Sequence, residues 1–203
     1  PNLIAWLLKA SKETQTLTIL PENTASKTPA ASVAVYSSSH AALPADLKTA
    51  KISELDLTKE SPEKWLSLWK DRKDQNPTAL VIIKLPLDSR LLDNYRDLAL
   101  AGAETIHLRA SWRQRGACGR HLTEVLRIID DNLVNAGVRD EITIIVSGGI
   151  TAAEHLPKSL LCGADALAID LAALMALGLS RFDTSQNSLK LKSPFLLPEP
   201  PVA

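Results

Sequence analysis

The first 101 residues of this 203-residue chain contain no glycine. All eight glycines lie between Gly102 and Gly178, so the first half has no glycine-rich ligand loop of its own. Cysteine is nearly absent. Cys118 and Cys162 are too few for a disulfide framework or a four-ligand metal site, and they fit a reduced, cytoplasmic protein. An excess of either charge is also missing. Twenty-three basic side chains balance 23 acidic ones, which excludes a dedicated nucleic-acid binder with a basic stripe. No apolar run reaches the roughly 18 residues of a membrane span, so a soluble chain with no membrane contact is expected. The start, Pro1 to Ala10, lacks the basic region and small-residue cleavage pattern of a signal peptide. Pro1 in place of Met suggests a piece of a longer or processed parent, whose other domains would be partners. There is no P-loop, G-x-G-x-x-G, H-E-x-x-H or G-x-S-x-G.

What is present is a regular alternation from residue 78 to about 178. Ala79 to Leu85 reads as a strand, Asp88 to Ala101 as a helix, and Glu104 to Leu108 as a strand. Arg120 to Ala136 has helical spacing, with Leu122, Val125, Leu126, Ile129, Leu133 and Val134 on one face. Ile142 to Val146 is almost wholly apolar, as a strand covered on both faces should be. Ala152 to Cys162 reads as a helix, Ala166 to Ile169 as a strand and Ala172 to Leu177 as a short helix. The first 77 residues are less regular. Ile4 to Ala10 suits a helix, and Thr16 to Leu20, Ser32 to Tyr36 and Ile52 to Leu57 suit strands. Ser61 to Lys73 suits a helix with Trp65 and Trp69 packed on one face. Pro21 to Ala31 and Ser37 to Ala45 read as loops, and Ser193 to Ala203 as an extended Pro-rich end.

This predicts an α/β fold of TIM-barrel-like β/α repeats, a partial or truncated barrel with parallel strands. Seven strands can be counted where a closed barrel needs eight. Three parts are expected: an irregular α/β part over residues 1–77, the barrel-like part over 78–180, and a Pro-rich tail over 181–203.

The motif that carries chemistry is Ser147-Gly148-Gly149-Ile150 at the end of an apolar strand. One β/α unit later come Gly163-Ala164-Asp165-Ala166 and a strand ending at Asp170. Two glycines let backbone amides approach a ligand, and a following helix start favours an anion. Loops after the last two barrel strands form the usual phosphate site. The alternative is that the pair only makes a tight turn.

Residues 79–178 resemble the carboxyl-terminal half of the FMN-binding barrel domain of glutamate synthases. The resemblance rests on VIIKLP (81–86), ETIHL (104–108), NAGVRDEITIIVSGGI (135–150) and CGADALAIDLAALMALG (162–178). It implies FMN as cofactor. Lys84 would lie near the flavin ring, with Gly148, Gly149 and Ser147 at its phosphate and Asp170 and Leu171 in the second phosphate loop. Catalytic residues are not implied.

The chain also departs from that family. Its loop H-L-D-G-x-x-G-G-T-G is replaced here by His107 to Gly119, which contains Arg109, Arg113 and Arg115. No cysteine follows Leu179, so the family's iron–sulfur cluster cannot be built from this chain. Asp170 places a carboxylate where it repels phosphate unless turned away. Arg109, Arg113, Arg115, Arg120, His121 and Trp112 form a basic cluster that could bind an anion or line a solvated loop. Cys118, among glycines and arginines, could have a depressed pKa or be an ordinary thiol. His155 reads as a helix-surface residue.

The function expected is that of a fragment or divergent domain of a glutamate-synthase-like flavin-dependent oxidoreductase. Two alternatives stay open: a non-catalytic binding or scaffold domain on the same fold, and a barrel for another phosphate-containing ligand. A second copy of the chain could supply missing strands, giving a homo-oligomer.

Overall fold

The computed structural model describes residues 2–21, 34–39, 50–176, 180–182 and 190–192. The Pro-rich end and most of the two loop stretches expected over 21–31 and 37–45 lie outside these residues.

Seven parallel strands pair in chain order, β1 (Thr18–Pro21), β2 (Ala34–Ser38), β3 (Ile52–Asp56), β4 (Leu80–Pro86), β5 (Thr105–Arg109), β6 (Thr143–Ser147) and β7 (Ala166–Ala168). Parallel neighbours need crossovers, which helices supply: α2 (Trp65–Gln75), α3 (Leu92–Leu100), α4 (Leu122–Asn135) and α5 (His155–Leu160). Helix α1 (Asn2–Thr14) precedes β1, and α6 (Leu171–Ala176) follows β7. Strictly sequential order winds the sheet in one direction, as in a barrel. The result is a half-barrel with helices, as the alternation of short apolar strands and amphipathic helices predicts. A small antiparallel pair, β8 (Ser180–Phe182) and β9 (Lys190–Lys192), stands apart from the main sheet.

The sheet runs without interruption across residue 77, where the sequence changes character. Strand β3 pairs with β4 over five positions, from Ile52–Leu80 to Asp56–Lys84. The helix expected over 61–73 begins with a 3-10 turn, Pro62–Lys64, before α2.

The strand period of two sorts side chains between the faces. Val81, Ile83, Leu85, Ile106, Leu108, Ile144 and Val146 point into the core with Tyr95, Leu98, Val125, Leu126, Ile129 and Leu133 from the helices. Trp65 is buried there and stacks on Tyr95 at 6.1 Å, so the tryptophan pair packs, as its spacing implies. Val134 departs from the expected buried stripe of α4 and is 56% exposed. It sits one position beyond Leu133, about 100° further round the helix.

The opposite phase, Glu54, Lys84, His107 and Ser147, faces the inside of the half-barrel. Barrel interiors are normally filled by branched apolar side chains. Here the central strands put polar groups there.

Candidate functional site

The carboxyl ends of β3 to β7 surround a groove of about 450 Å³. Its walls come from Thr58 and Lys59 after β3, Pro86 of β4, the loop from Arg109 to Ala117, Ser147 to Gly149, and Asp170 with Leu171. This is the rim where parallel α/β sheets carry their ligands.

The loop after β5 folds back on the glycine pair. Gly148 and Gly149 have φ of +111° and +69°. A Cβ on Gly148 would lie 2.2 Å from the Ala110 carbonyl oxygen, and one on Gly149 2.4 Å from that of Trp112. Glycine is therefore required at both positions for the chain's own loop to close over them. The carbonyl of Gly149 accepts a hydrogen bond from Gln114 Nε2 at 2.8 Å. The same amide group lies 2.9 Å from His155 Nδ1, which also accepts from the Thr151 amide at 3.2 Å. His155 thus occupies an amide in the turn ahead of α5. At the next unit, Asp170 Oδ1 accepts from the Leu171 amide at 2.6 Å, so its carboxylate sits on the start of α6.

The basic cluster is divided by the fold. Arg109, Arg115 and Trp112 line the groove, and Lys59 joins them from a distant part of the sequence. Arg115 donates to the Gly119 carbonyl at 2.8 Å, and neither Lys59 nor Arg109 pairs with a carboxylate among the described residues. Arg113 stacks on the Trp112 ring at 4.6 Å, Arg120 pairs with Glu124, and His121 caps α4. Asp170 is the one carboxylate among the described groove residues. The excess is cationic.

The sequence-derived site residues fall in two places. Ser147, Gly148, Gly149, Asp170 and Leu171 line the groove together. Lys84 lies one interior position deeper than Pro86. Its Nζ is 3.5 Å from Glu54 Oε1 and 3.4 Å from Asp56 Oδ2.

Below the groove lies an arrangement that the sequence did not announce. Glu54 Oε2 is 2.7 Å from His107 Nδ1, and His107 Nε2 is 2.7 Å from Ser147 Oγ. Glu54 is fully buried, His107 is 2% exposed and Ser147 is 8% exposed. Burial pushes the Glu54 carboxyl up, but the hydrogen bond and charge of His107, then Lys84 and Ser37, outweigh it and hold it below the ordinary value. Asp56 is likewise depressed. Burial opposes the shift, and the Thr58 hydroxyl and Lys84 overcome it. The signal that picked out Lys84, a charged side chain within an apolar strand, also exists at Glu54 and His107.

Cys118 is half-buried, and its thiol pKa is lowered. Burial opposes the shift; hydrogen bonds from Ser89 and from the Arg120 amide produce it, rather than the arginine charges that the sequence suggests. Among the described residues no group of three or more His, Cys, Asp or Glu could hold a metal ion. No described helix is long and apolar enough to cross a membrane.

Residues 66–184 match the model of the family described as the conserved region in glutamate synthase. The chain belongs to this glutamate synthase family. The match begins inside α2, earlier than the resemblance drawn from residue 79 onward. A 64-residue stretch, 32% of the chain, is 39% identical to the archaeal glutamate synthase (NADPH) of Methanocaldococcus jannaschii, and spans 12% of that protein's length. Among solved structures, the glutamate synthase-family chain is similar to QR15, an aldolase, with TM-score 0.57 and 14% identity over 81% of each chain. It is similar to the YdjI aldolase of Escherichia coli K12, with TM-score 0.54 and 13% identity over 84% of this chain and 71% of that one. DHODH of Eimeria tenella in complex with ferulenol gives TM-score 0.52 and 11% identity over 75% and 57%. At these identities the likeness is one of fold.

The family implies FMN, whose phosphate and ring the groove would have to hold. The glycine pair is spent largely on the loop that covers it, and Asp170 sits on the second expected phosphate position. Arg109, Arg115 and Lys59 nevertheless supply the charge that a phosphate needs, and Trp112, with Arg113 over one face of its ring, lies beside them. The donor set fits a phosphate on an aromatic ligand through side-chain cations rather than backbone amides.

Proposed function

We propose that this chain is a divergent glutamate-synthase-like barrel domain whose groove binds a phosphate-containing aromatic ligand, with FMN as the first candidate. The supporting observation is the convergence of Arg109, Arg115 and Lys59 with Trp112 at the carboxyl rim of the parallel sheet. Arg109 and Arg115 would hold the phosphate, Lys59 would add charge from the β3 side, and Ser147 to Gly149 would form the opposite wall. Lys84, below the rim between Glu54 and Asp56, would fix the carboxylates beneath the ligand. Bound flavin would supply two-electron redox chemistry, and electron donor and substrate would come from other domains of a longer protein. The eighth strand needed for closure would come from those domains or from a second copy of the chain.

Titration of the purified chain with FMN, followed by flavin fluorescence, tests this. A saturable change that weakens at least tenfold in the Arg109→Ala/Arg115→Ala double variant is expected. Inorganic phosphate should compete, and added salt should weaken binding. Absence of any saturable change in the unaltered chain would overturn the flavin reading.

A further inference from the structure

We propose that Ser147, His107 and Glu54 form a nucleophilic triad that opens on the groove and acts on carboxylic ester ligands bearing an anionic group. The inference does not depend on flavin binding.

Geometry carries it. A hydroxyl becomes a nucleophile when a base lies within hydrogen-bond reach and a third group orients that base. Ser147 Oγ and His107 Nε2 are 2.7 Å apart, and His107 Nδ1 and Glu54 Oε2 are 2.7 Å apart. The two bonds use opposite nitrogens of one ring. An ionised Glu54 accepts the Nδ1 proton, which leaves Nε2 as the acceptor for the Ser147 hydroxyl. The other oxygen of Glu54 faces Lys84 at 3.5 Å, so the carboxylate is fixed from both sides. Lys84 is thereby a positioning residue.

The placement is as important as the distances. The acid end of the chain is sealed inside the half-barrel, and the hydroxyl end lies in the groove wall. Gly148 and Gly149 follow the hydroxyl directly in that wall. Arg109 and Arg115 give the groove a preference for a substrate carrying negative charge. The polar layer ends at Ser147, which is 8% exposed and part of the groove wall.

The step balances without a further reactant. Ser147 Oγ attacks the ester carbonyl carbon and its proton passes to His107 Nε2. The carbonyl–oxygen bond to the alcohol breaks, and that alcohol leaves with the proton from His107. Water then attacks the acyl-serine, again through His107, and releases the acid.

The test is a fluorophosphonate probe on the 203-residue chain, read by intact mass and peptide mapping. One adduct on Ser147 is expected, together with slow turnover of p-nitrophenyl acetate. His107→Asn should abolish labelling, and Glu54→Gln should slow it by roughly 10²- to 10⁴-fold. Mapping on the unaltered chain needs no variant to fold, and circular dichroism melts check the variants. No adduct on Ser147 under conditions that fully label a known serine esterase would overturn the proposal. Labelling indifferent to His107→Asn would do the same. Neither result bears on the FMN titration, which reads a different ligand.

Discussion

The two ends of the parallel sheet use charge in opposite ways. At the amino end, Arg139 pairs with Asp130 and Asp165 and donates to the carbonyls of Ile142 and Gly163, each at 3.0 Å. Asp165 in turn accepts from the Ile144 amide at 2.7 Å. Lys73 joins Glu104 and the Ala79 carbonyl nearby. At the carboxyl end, Lys59 and Arg109 find no carboxylate among the described residues. One end turns charge into connections between α4, β6 and β7; at the other, the rim cations Lys59 and Arg109 make no such connection among the described residues. The two most specific segments of the family resemblance, 135–150 and 162–178, meet at the Arg139–Asp165 pair. The same two segments therefore tie the closed end together and supply Ser147, Gly148, Gly149, Asp170 and Leu171 to the groove at the open one.

The sharpest challenge to this contrast is a position at the open end that should behave like the closed one. Gly148→Ala forces a Cβ against the Ala110 carbonyl at φ +111°. Overpacking and backbone strain each cost roughly 1–3 kcal/mol, so a loss of about 3 kcal/mol in urea unfolding is expected. A loss below about 1 kcal/mol would show that the loop does not close on the glycine pair as described. Next comes Arg139→Met, which strands two carboxylates and two carbonyls. It should cost about 2–3 kcal/mol in the same experiment, while Arg109→Ala stays within about 0.5 kcal/mol. Equal losses at both arginines would erase the distinction.

The smallest effect lies between the ends. The folded-state pKa of Glu54 is depressed below its ordinary 4.5. Its contribution to stability is then present above the unfolded-state value and is lost as pH falls through the folded one. Acid unfolding followed by tryptophan fluorescence should show a shallower stability slope below about pH 4.5 in Glu54→Gln than in the unaltered chain. An unchanged slope would mean that Glu54 is not held ionised by His107 and Lys84.

Strands β4 to β7 were legible because each is a short apolar run between helices of clear period. Even the weak β1, β2 and β3 were placed by propensity alone. Ser147, Gly148 and Gly149 were legible because they form a contiguous motif. Their partners were not. Glu54 and His107 are 53 residues apart, and His107 and Ser147 are 40 apart, so only strand order and register bring them together. The loop over the glycine pair was hidden for a related reason: a bare Gly-Gly does not say whether a ligand or another stretch of backbone fills the space beside it. Likewise, nothing local joins Lys59 to Arg109, because the intervening chain forms α2, β4 and α3 before returning to the rim.

The Glu54–His107–Ser147 chain has a further effect, on how the strands align. A parallel strand that slips by two residues keeps its apolar side toward the helices, so hydrophobic burial alone tolerates the error. Such a slip of β5 would carry His107 about 6.6 Å along the strand. Both of its hydrogen bonds would break, and Glu54 would be left buried without its imidazole. The misaligned sheet is penalised from its hollow side, and β3, β5 and β6 are held in one alignment whether or not a ligand ever enters the groove.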